Sequence, residues 1–186
     1  MMKKSVRRGV SKGQWLEAGL EFLARGSVSA ISVEGLAKHL KIAKSGFYWH
    51  FKNRDELLRD LLAYWSHEIT EVVTVNKEFL AMEPRIRLQK TAEMLHDFRL
   101  TQYEMAIRQW ALVDKEAAKI VRKANRMRMN YLLLALSELG IEGEEAEMRA
   151  MTFLCYMTWE PHTFQEVTRK KRRSMIAARV RMLTTV

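Results

Sequence analysis

Apolar residues in this chain recur three and four positions apart almost from end to end, a period that fits an α-helix. Only Pro84 and Pro161 interrupt the pattern in 186 residues. No period-2 alternation persists and no Asn-Gly or Asp-Gly hairpin turn occurs, so strands find no support. The expectation is an all-α protein. With 48% hydrophobic residues it can bury one substantial core, or one core and a small appended domain.

Caps and stops divide the pattern. Residues 1–10 read as a disordered basic arm. Ser11 with Gln14 is a capping box opening a first helix, whose apolar face carries Trp15, Ala18, Gly19, Phe22 and Leu23 and which ends at Gly26. Ser32 caps a short second helix over 33–40, with Leu36, Ala37 and Leu40 inward. The spacing predicts a third helix over 43–50. Asn53 caps a fourth, running from Arg54 to about Asn76, with Leu57, Leu58, Leu61, Leu62 and Trp65 inside.

The third helix, within Ile42-Ala43-Lys44-Ser45-Gly46-Phe47-Tyr48-Trp49-His50-Phe51, has two unlike faces. Phe47 and Phe51, four apart, share one side and can anchor. Lys44, Ser45 and Tyr48 lie on another. A basic, aromatic and small surface suits a DNA major groove, where Lys meets phosphate or guanine and small residues admit the backbone. Charge is placed accordingly: the net is +10, and residues 1–52 hold ten basic side chains against three acidic ones, or +7. A polyanion partner for the N-terminal part is implied.

At this point the sequence resembles the TetR family of transcriptional regulators. The resemblance rests on Ser32-Val33-Glu34-Gly35-Leu36-Ala37, on the stretch from Ile42 to Phe51, and on Lys52-Asn53-Arg54-Asp55-Glu56-Leu57-Leu58. It covers about residues 11 to 65. The chain departs from the family pattern at Ala43, where Ser or Thr is usual, in the order Ser45-Gly46, and at Arg54, where Lys is frequent.

The resemblance implies a three-helix helix-turn-helix DNA-binding domain over 11–52, extending to about 65 with the start of a connecting helix. A ligand-binding and dimerisation domain over 53–186 follows, with about nine helices in all. It implies that Ser32 and the amides beside it meet a phosphate. Lys44, Ser45 and Gly46 would enter the major groove, Tyr48 and His50 contact phosphates, Trp49 pack on a thymine methyl or the sugar backbone, and Lys52 and Arg54 grip the next phosphate. Phe47 and Phe51 belong to the core. The implied partners are palindromic double-stranded operator DNA, a small-molecule effector of unknown identity, and a second copy paired through the last two helices.

Beyond residue 76 the residues are read directly. Pro84 opens a fifth helix with a Leu88, Ala92, Leu95, Phe98 stripe. A sixth begins near Gln102, a seventh spans about 115–139 and stops at Gly140, an eighth spans about 144–160, and Pro161 parts it from a ninth over about 164–183. Candidate walls for the implied ligand cavity are Met94, Phe98, Tyr103, Trp110, Met127, Tyr131, Phe153, Met157 and Trp159, because methionines and aromatics suit an adaptable apolar pocket. Ordinary core packing accounts for the same residues.

Other chemistry finds little support. The single Cys155 precludes an intrachain disulfide and reads as an inert buried thiol in a reducing compartment. His67 and His96 lack partners at metal-ligand spacing, and there is no Gly-rich phosphate loop or nucleophile elbow, so neither an enzyme nor a metal or cofactor is expected. No stretch approaches the ~18 apolar residues of a membrane span, so a soluble, cytoplasmic protein is expected. The run Arg169-Lys170-Lys171-Arg172-Arg173 reads as a solvated helix face. Two function classes remain: a ligand-responsive homodimeric repressor, and a basic helical scaffold that binds nucleic acid without sequence preference or effector.

Overall fold

The computed structural model describes residues 9–185, so the expected arm over 1–10 lies almost wholly outside the described residues. Ten α-helical elements are present among the described residues, with no strand. They are α1 (Lys12–Arg25), α2 (Val33–His39), α3 (Arg54–Ser66), α4 (Val72–Thr74), α5 (Lys77–Leu80), α6 (Pro84–Asp97), α7 (Glu104–Ala111), α8 (Lys115–Ser137), α9 (Gly143–Thr163) and α10 (Arg169–Thr184). The chain divides into two compact units, one ending at Tyr64 and the other beginning at Trp65.

In the first unit the capping box forms as expected: Ser11 Oγ accepts from the Gln14 amide at 3.3 Å and Gln14 Oε1 accepts from the Ser11 amide at 2.9 Å. Ser32 Oγ caps α2 by accepting from the Gly35 amide at 3.1 Å. Trp15, Phe47, Leu57 and Leu61 are fully buried. The Trp15 and Phe47 rings meet edge to face, 5.4 Å between centroids, and Phe47 and Phe51 lie 5.1 Å apart. Gly19 lets α1 approach α3 closely, since a Cβ there would sit 2.6 Å from Leu61 Cδ1.

The expected third α-helix is instead a 3-10 helix over Lys44–Trp49, with 3-10 bonds from the Gly46 amide to Ala43 and from the His50 amide to Phe47. Six residues containing Ser45 and Gly46 gain little from helix propagation, and the tighter coil forms in such short pieces. The inward direction of Phe47 and Phe51 survives the change.

In the second unit α8 is the central element, packed against α6, α7 and α9, while α10 packs on α6. The core joins Leu88 and Ala92 of α6, Tyr131, Leu132 and Ala135 of α8, Phe153 and Met157 of α9, and Ile176, Val180 and Leu183 of α10. A Schellman ending closes α8: the Ile141 amide donates to Leu136, the Gly140 amide donates to Ser137, and Gly140 takes φ +78°.

Several boundaries differ from the expected ones. Winding after α3 continues through a π-turn, His67–Glu71, into α4, and α5 is a separate turn capped by Asn76. Pro161 does not end α9, because it sits in the last turn, where the missing amide removes a single bond. The final helix starts at Arg169 rather than Phe164, with Thr168 Oγ1 accepting from the Lys171 amide at 3.2 Å. Phe98 ends α6 exposed instead of completing its stripe, and Cys155 is exposed, not buried. The basic run is only partly solvated: Arg172 pairs with Glu160 at 3.0 Å, and Arg173 with Glu93 at 3.1 Å and Asp97 at 3.2 Å.

Candidate nucleic-acid interface and ligand cavity

The 3-10 helix presents Lys44, Ser45, Tyr48 and Trp49 outward while Phe47 holds it from beneath. Trp49 is 86% exposed and Tyr48 58%, unusual for such large apolar surfaces unless a partner covers them. The Tyr48 ring is braced edge-on by Phe47 at 5.3 Å, so its hydroxyl projects from a fixed base. Gly46 is half-buried, and a Cβ there would press on Ile42 Cδ1 at 3.1 Å. His50 is placed differently from its neighbours, with Nε2 2.8 Å from the Val10 carbonyl oxygen. Arg54 donates Nε to the Ile31 carbonyl at 2.7 Å and Nη2 to that of Val28, so much of its guanidinium holds the loop before α2. Ser32 Oγ spends an acceptor lone pair on the cap and retains its proton to donate. Lys52 is exposed beside the start of α3.

Lys44 Nζ is ion-paired to Glu34 of α2. The hydrogen bond to Lys44 holds the Glu34 carboxyl below its usual range, and the bond to Glu34 raises the Lys44 ammonium above its own. The signs are consistent: Glu34's contribution is lost as pH falls through its lowered pKa, and Lys44's as pH rises through its raised one. Both groups are therefore charged at neutral pH, and a phosphate reaching Lys44 competes with Glu34 for the ammonium. The variant Glu34→Gln is expected to bind duplex DNA about two- to fivefold more tightly at low salt, with the gain shrinking as salt rises. Titrations of both proteins at two salt concentrations measure it; equal affinities would show that Lys44 does not exchange Glu34 for DNA.

In the second unit a cavity of about 50 Å³ opens among Ile69, Val73, Thr91, Leu95, Phe153 and Leu154. Its walls are mostly apolar, with polar groups at two points. Thr91 and Tyr131 hydroxyls meet at 2.7 Å, and burial raises the Tyr131 phenol above its ordinary pKa. One turn away on α8, Arg128 donates Nη2 to Glu104 Oε1 at 2.7 Å and Nε to Thr70 Oγ1 at 2.9 Å, with its guanidinium 5.3 Å from the Trp65 ring centre. Arg108 approaches the other Glu104 oxygen at 3.3 Å. Glu104 has no exposed surface, so one buried carboxylate serves two guanidinium groups.

Of the expected wall residues, Tyr131, Phe153 and Met157 line this cavity. Met94 packs at the core's edge, Met127 is half-buried, and Trp110 is buried in α7. Tyr103 precedes α7, while Phe98 and Trp159 are exposed. These six lie outside the lining. Thr91, Glu104 and Arg128 also line the cavity, and no sequence motif marks them. Yet Arg128 stands at a core position in the series Val121, Ala124, Arg128, Tyr131, Ala135, and that spacing was the available signal. A larger cleft of about 320 Å³ adjoins the cavity, sharing Leu95, Thr101 and Met157 with it. Among the described residues no group of three His, Cys, Asp or Glu side chains could hold a metal, and no helix is long and apolar enough to cross a membrane.

Residues 16–61 match the family model described as bacterial regulatory proteins, tetR family. An uncharacterized HTH-type transcriptional regulator of Bacillus subtilis (strain 168), YuxN, is 25% identical over 136 residues, which are 71% of this chain and 46% of that protein. The chain thus spans about half the length of that curated relative. Among solved structures, the transcriptional regulator FadR of Bacillus subtilis, in complex with stearoyl-CoA, superimposes with a TM-score of 0.70 at 16% identity, covering 94% of this chain and 98% of that one. AibR, in complex with isovaleryl coenzyme A and operator DNA, gives 0.68 at 17% identity, over 93% of this chain and 97% of that one. At these identities the likeness is one of fold.

Proposed function

We propose, from the match of residues 16–61 to the tetR family model, that this chain is a ligand-responsive, homodimeric transcriptional repressor of that family. Residues 11–52 and the start of α3 form the DNA-binding domain, and the remainder binds the effector and the second copy. The observation that carries this reading is the 3-10 helix itself: a core-anchored segment whose outer face exposes Lys44, Ser45, Tyr48 and Trp49 together. Lys44, Ser45 and Gly46 lie in the major groove, where Lys44 meets a base edge or a phosphate, and Ser32, Tyr48, Trp49, His50, Lys52 and the free edge of Arg54 position the segment on the backbone.

Dimerisation through the last two helices is supported by an exposed stripe on α9, Met148, Met151, Cys155 and Trp159, continued by Met182 on α10. Residues spaced this way share one helix face, and a two-fold pair would cover it. The effector enters the second unit at the cavity. FadR and AibR are held with acyl derivatives of coenzyme A, which supports an effector bearing an apolar group. At about 50 Å³ the cavity cannot accept such a group as it stands, since ligand pockets run to roughly 300–1,000 Å³. The effector therefore selects an opened form, and repression is relieved if that form binds operator less well. Such a regulator works in the cytoplasm, beside the chromosome.

Selection of bound duplexes from a random pool tests the proposal. The expected product is a two-fold symmetric sequence whose half-site centres lie about 34–36 Å apart. A pool that gains no common sequence would overturn it.

A further inference from the structure

Arg179 of α10 occupies a core position beside Ile176, Val180 and Leu183, and is only 7% exposed. Its guanidinium lies on the Tyr156 ring, 3.3 Å from the centroid, and Nη1 reaches Met157 Sδ at 3.4 Å. Nε and Nη2 are shut off from solvent without a hydrogen-bond partner. Burial draws the guanidinium below its usual pKa range, although it remains a cation. A buried cation with unmet donors is costly unless something compensates it.

The protein supplies that compensation only in part: the Tyr156 side chain and the Glu160 charge favour the cation, and neither gives Nε or Nη2 an acceptor. Arg179 lines the 320 Å³ cleft together with Arg99, Arg169, Arg172, His96 and His162, and the carboxylate in the lining is Glu160. Both Glu160 oxygens accept from Arg172 Nε, at 3.0 and 3.1 Å. Arg169 donates to the backbone carbonyls of His96 and Asp97. Nε2 of His162 is buried and also lacks a partner. Four guanidinium groups thus face one carboxylate in a concave space, and the buried nitrogens left without a partner belong to Arg179 and His162. The cleft meets the apolar cavity at Leu95, Thr101 and Met157.

We propose that this cleft is a binding site for an oxyanion, phosphate or carboxylate, carried at the head of an amphiphile whose apolar chain enters the adjoining cavity. The proposal rests on the reading of that cavity as the effector site and adds the charge of the effector to it. In the opened form that the effector selects, Arg179 provides Nε and Nη2 as a fork, the geometry that matches two oxygens of one anion. His162 closes the site from α9. Tyr156 and Met157 hold the fork in place from its face and edge.

The test is calorimetric titration of the full chain, without DNA, using octyl phosphate, octanoate, octanol and inorganic phosphate as probes. At least one octyl anion is expected to bind about tenfold or more tightly than octanol, the range of charge-assisted hydrogen bonds. The stronger of octyl phosphate and octanoate identifies the head. Inorganic phosphate is expected to bind more weakly than octyl phosphate. Arg179→Met, which suits the apolar face of α10, should lose that anion preference and leave octanol binding unchanged; Arg179→Gln serves if the methionine variant does not fold. Equal binding of the anions and octanol, binding of none of the probes, or an anion preference intact in the folded variant would each overturn the site. So would an Arg179 variant that weakens self-association while leaving anion binding intact, because Arg179 would then answer a carboxylate of a second copy. None of these outcomes touches duplex selection, which tests the regulatory reading separately.

Discussion

Replacing Glu104 with leucine is expected to destabilise the second unit by about 3–5 kcal/mol, the cost of leaving a buried charge without its counter-ion. Glu104 is fully buried and accepts from Arg128 at 2.7 Å, and Arg128 is itself 8% exposed. Removing the carboxylate strands Arg128 between Trp65 and Thr70 and deprives Arg108 of its neighbour at 3.3 Å. Arg108 retains Asn125 as an acceptor at 3.2 Å and some exposure, so most of the penalty falls on Arg128. The second substitution, Arg128→Met in the Glu104→Leu background, should recover most of the loss, since apolar replacement of a whole buried pair is often nearly neutral. Urea unfolding of the wild type and both variants measures the effect. A single variant as stable as the wild type would show that water reaches the pair.

The largest expected effect on function comes from replacing Lys44 and Tyr48 together with alanine. A base-reading contact is worth about 1–3 kcal/mol, so losing two contacts of that order should weaken binding to a selected duplex by roughly thirtyfold or more. Loss of one phosphate contact by Lys44 should also lower the slope of affinity against salt by about one. Both side chains are exposed, so the fold is expected to survive, and unfolding curves provide the control. Unchanged affinity in a folded double variant would refute the assignment of the reading segment.

Local rules made much of the fold legible. Ser11 with Gln14, Ser32 and Gly140 act through neighbours three to five residues away, the first two opening their helices and Gly140 closing α8 as their spacing implies. Phe47 and Phe51 were legible as anchors because a four-residue spacing dictates a shared face, even though most of their segment winds as a 3-10 helix. Pro161 misled because proline's cost depends on where in a helix it falls, and the helix end is set by the packing of the α9 region.

The second unit was less legible, because its polar groups are matched across elements far apart in sequence. Arg87 is fully buried, donates to the Leu80 carbonyl at 2.7 Å and pairs with Glu138 at 2.9 Å, 51 residues away. Arg87, Arg128 and Arg179 all stand among apolar residues on their helices, a departure from amphipathic patterning that marks a buried cation without naming its partner. For Arg87 and Arg128 the fold supplies a carboxylate. For Arg179, at the wall of the cleft, the buried Nε and Nη2 donors have no acceptor. Cavity walls were hardest to foresee, since whether Tyr131 or Trp110 borders a void depends on helix placement and not on residue type.

The measurement that bears most directly on the regulatory account is the dissociation constant for a duplex selected from a random pool, set against a scrambled duplex of equal length, across a series of salt concentrations. Sequence-specific regulators bind their sites roughly 10³–10⁷ times more tightly than other DNA. A ratio of at least about 10³, with both affinities falling as salt rises, is the predicted result. A ratio near one at every salt concentration would contradict it and leave a basic helical protein that holds DNA by charge alone.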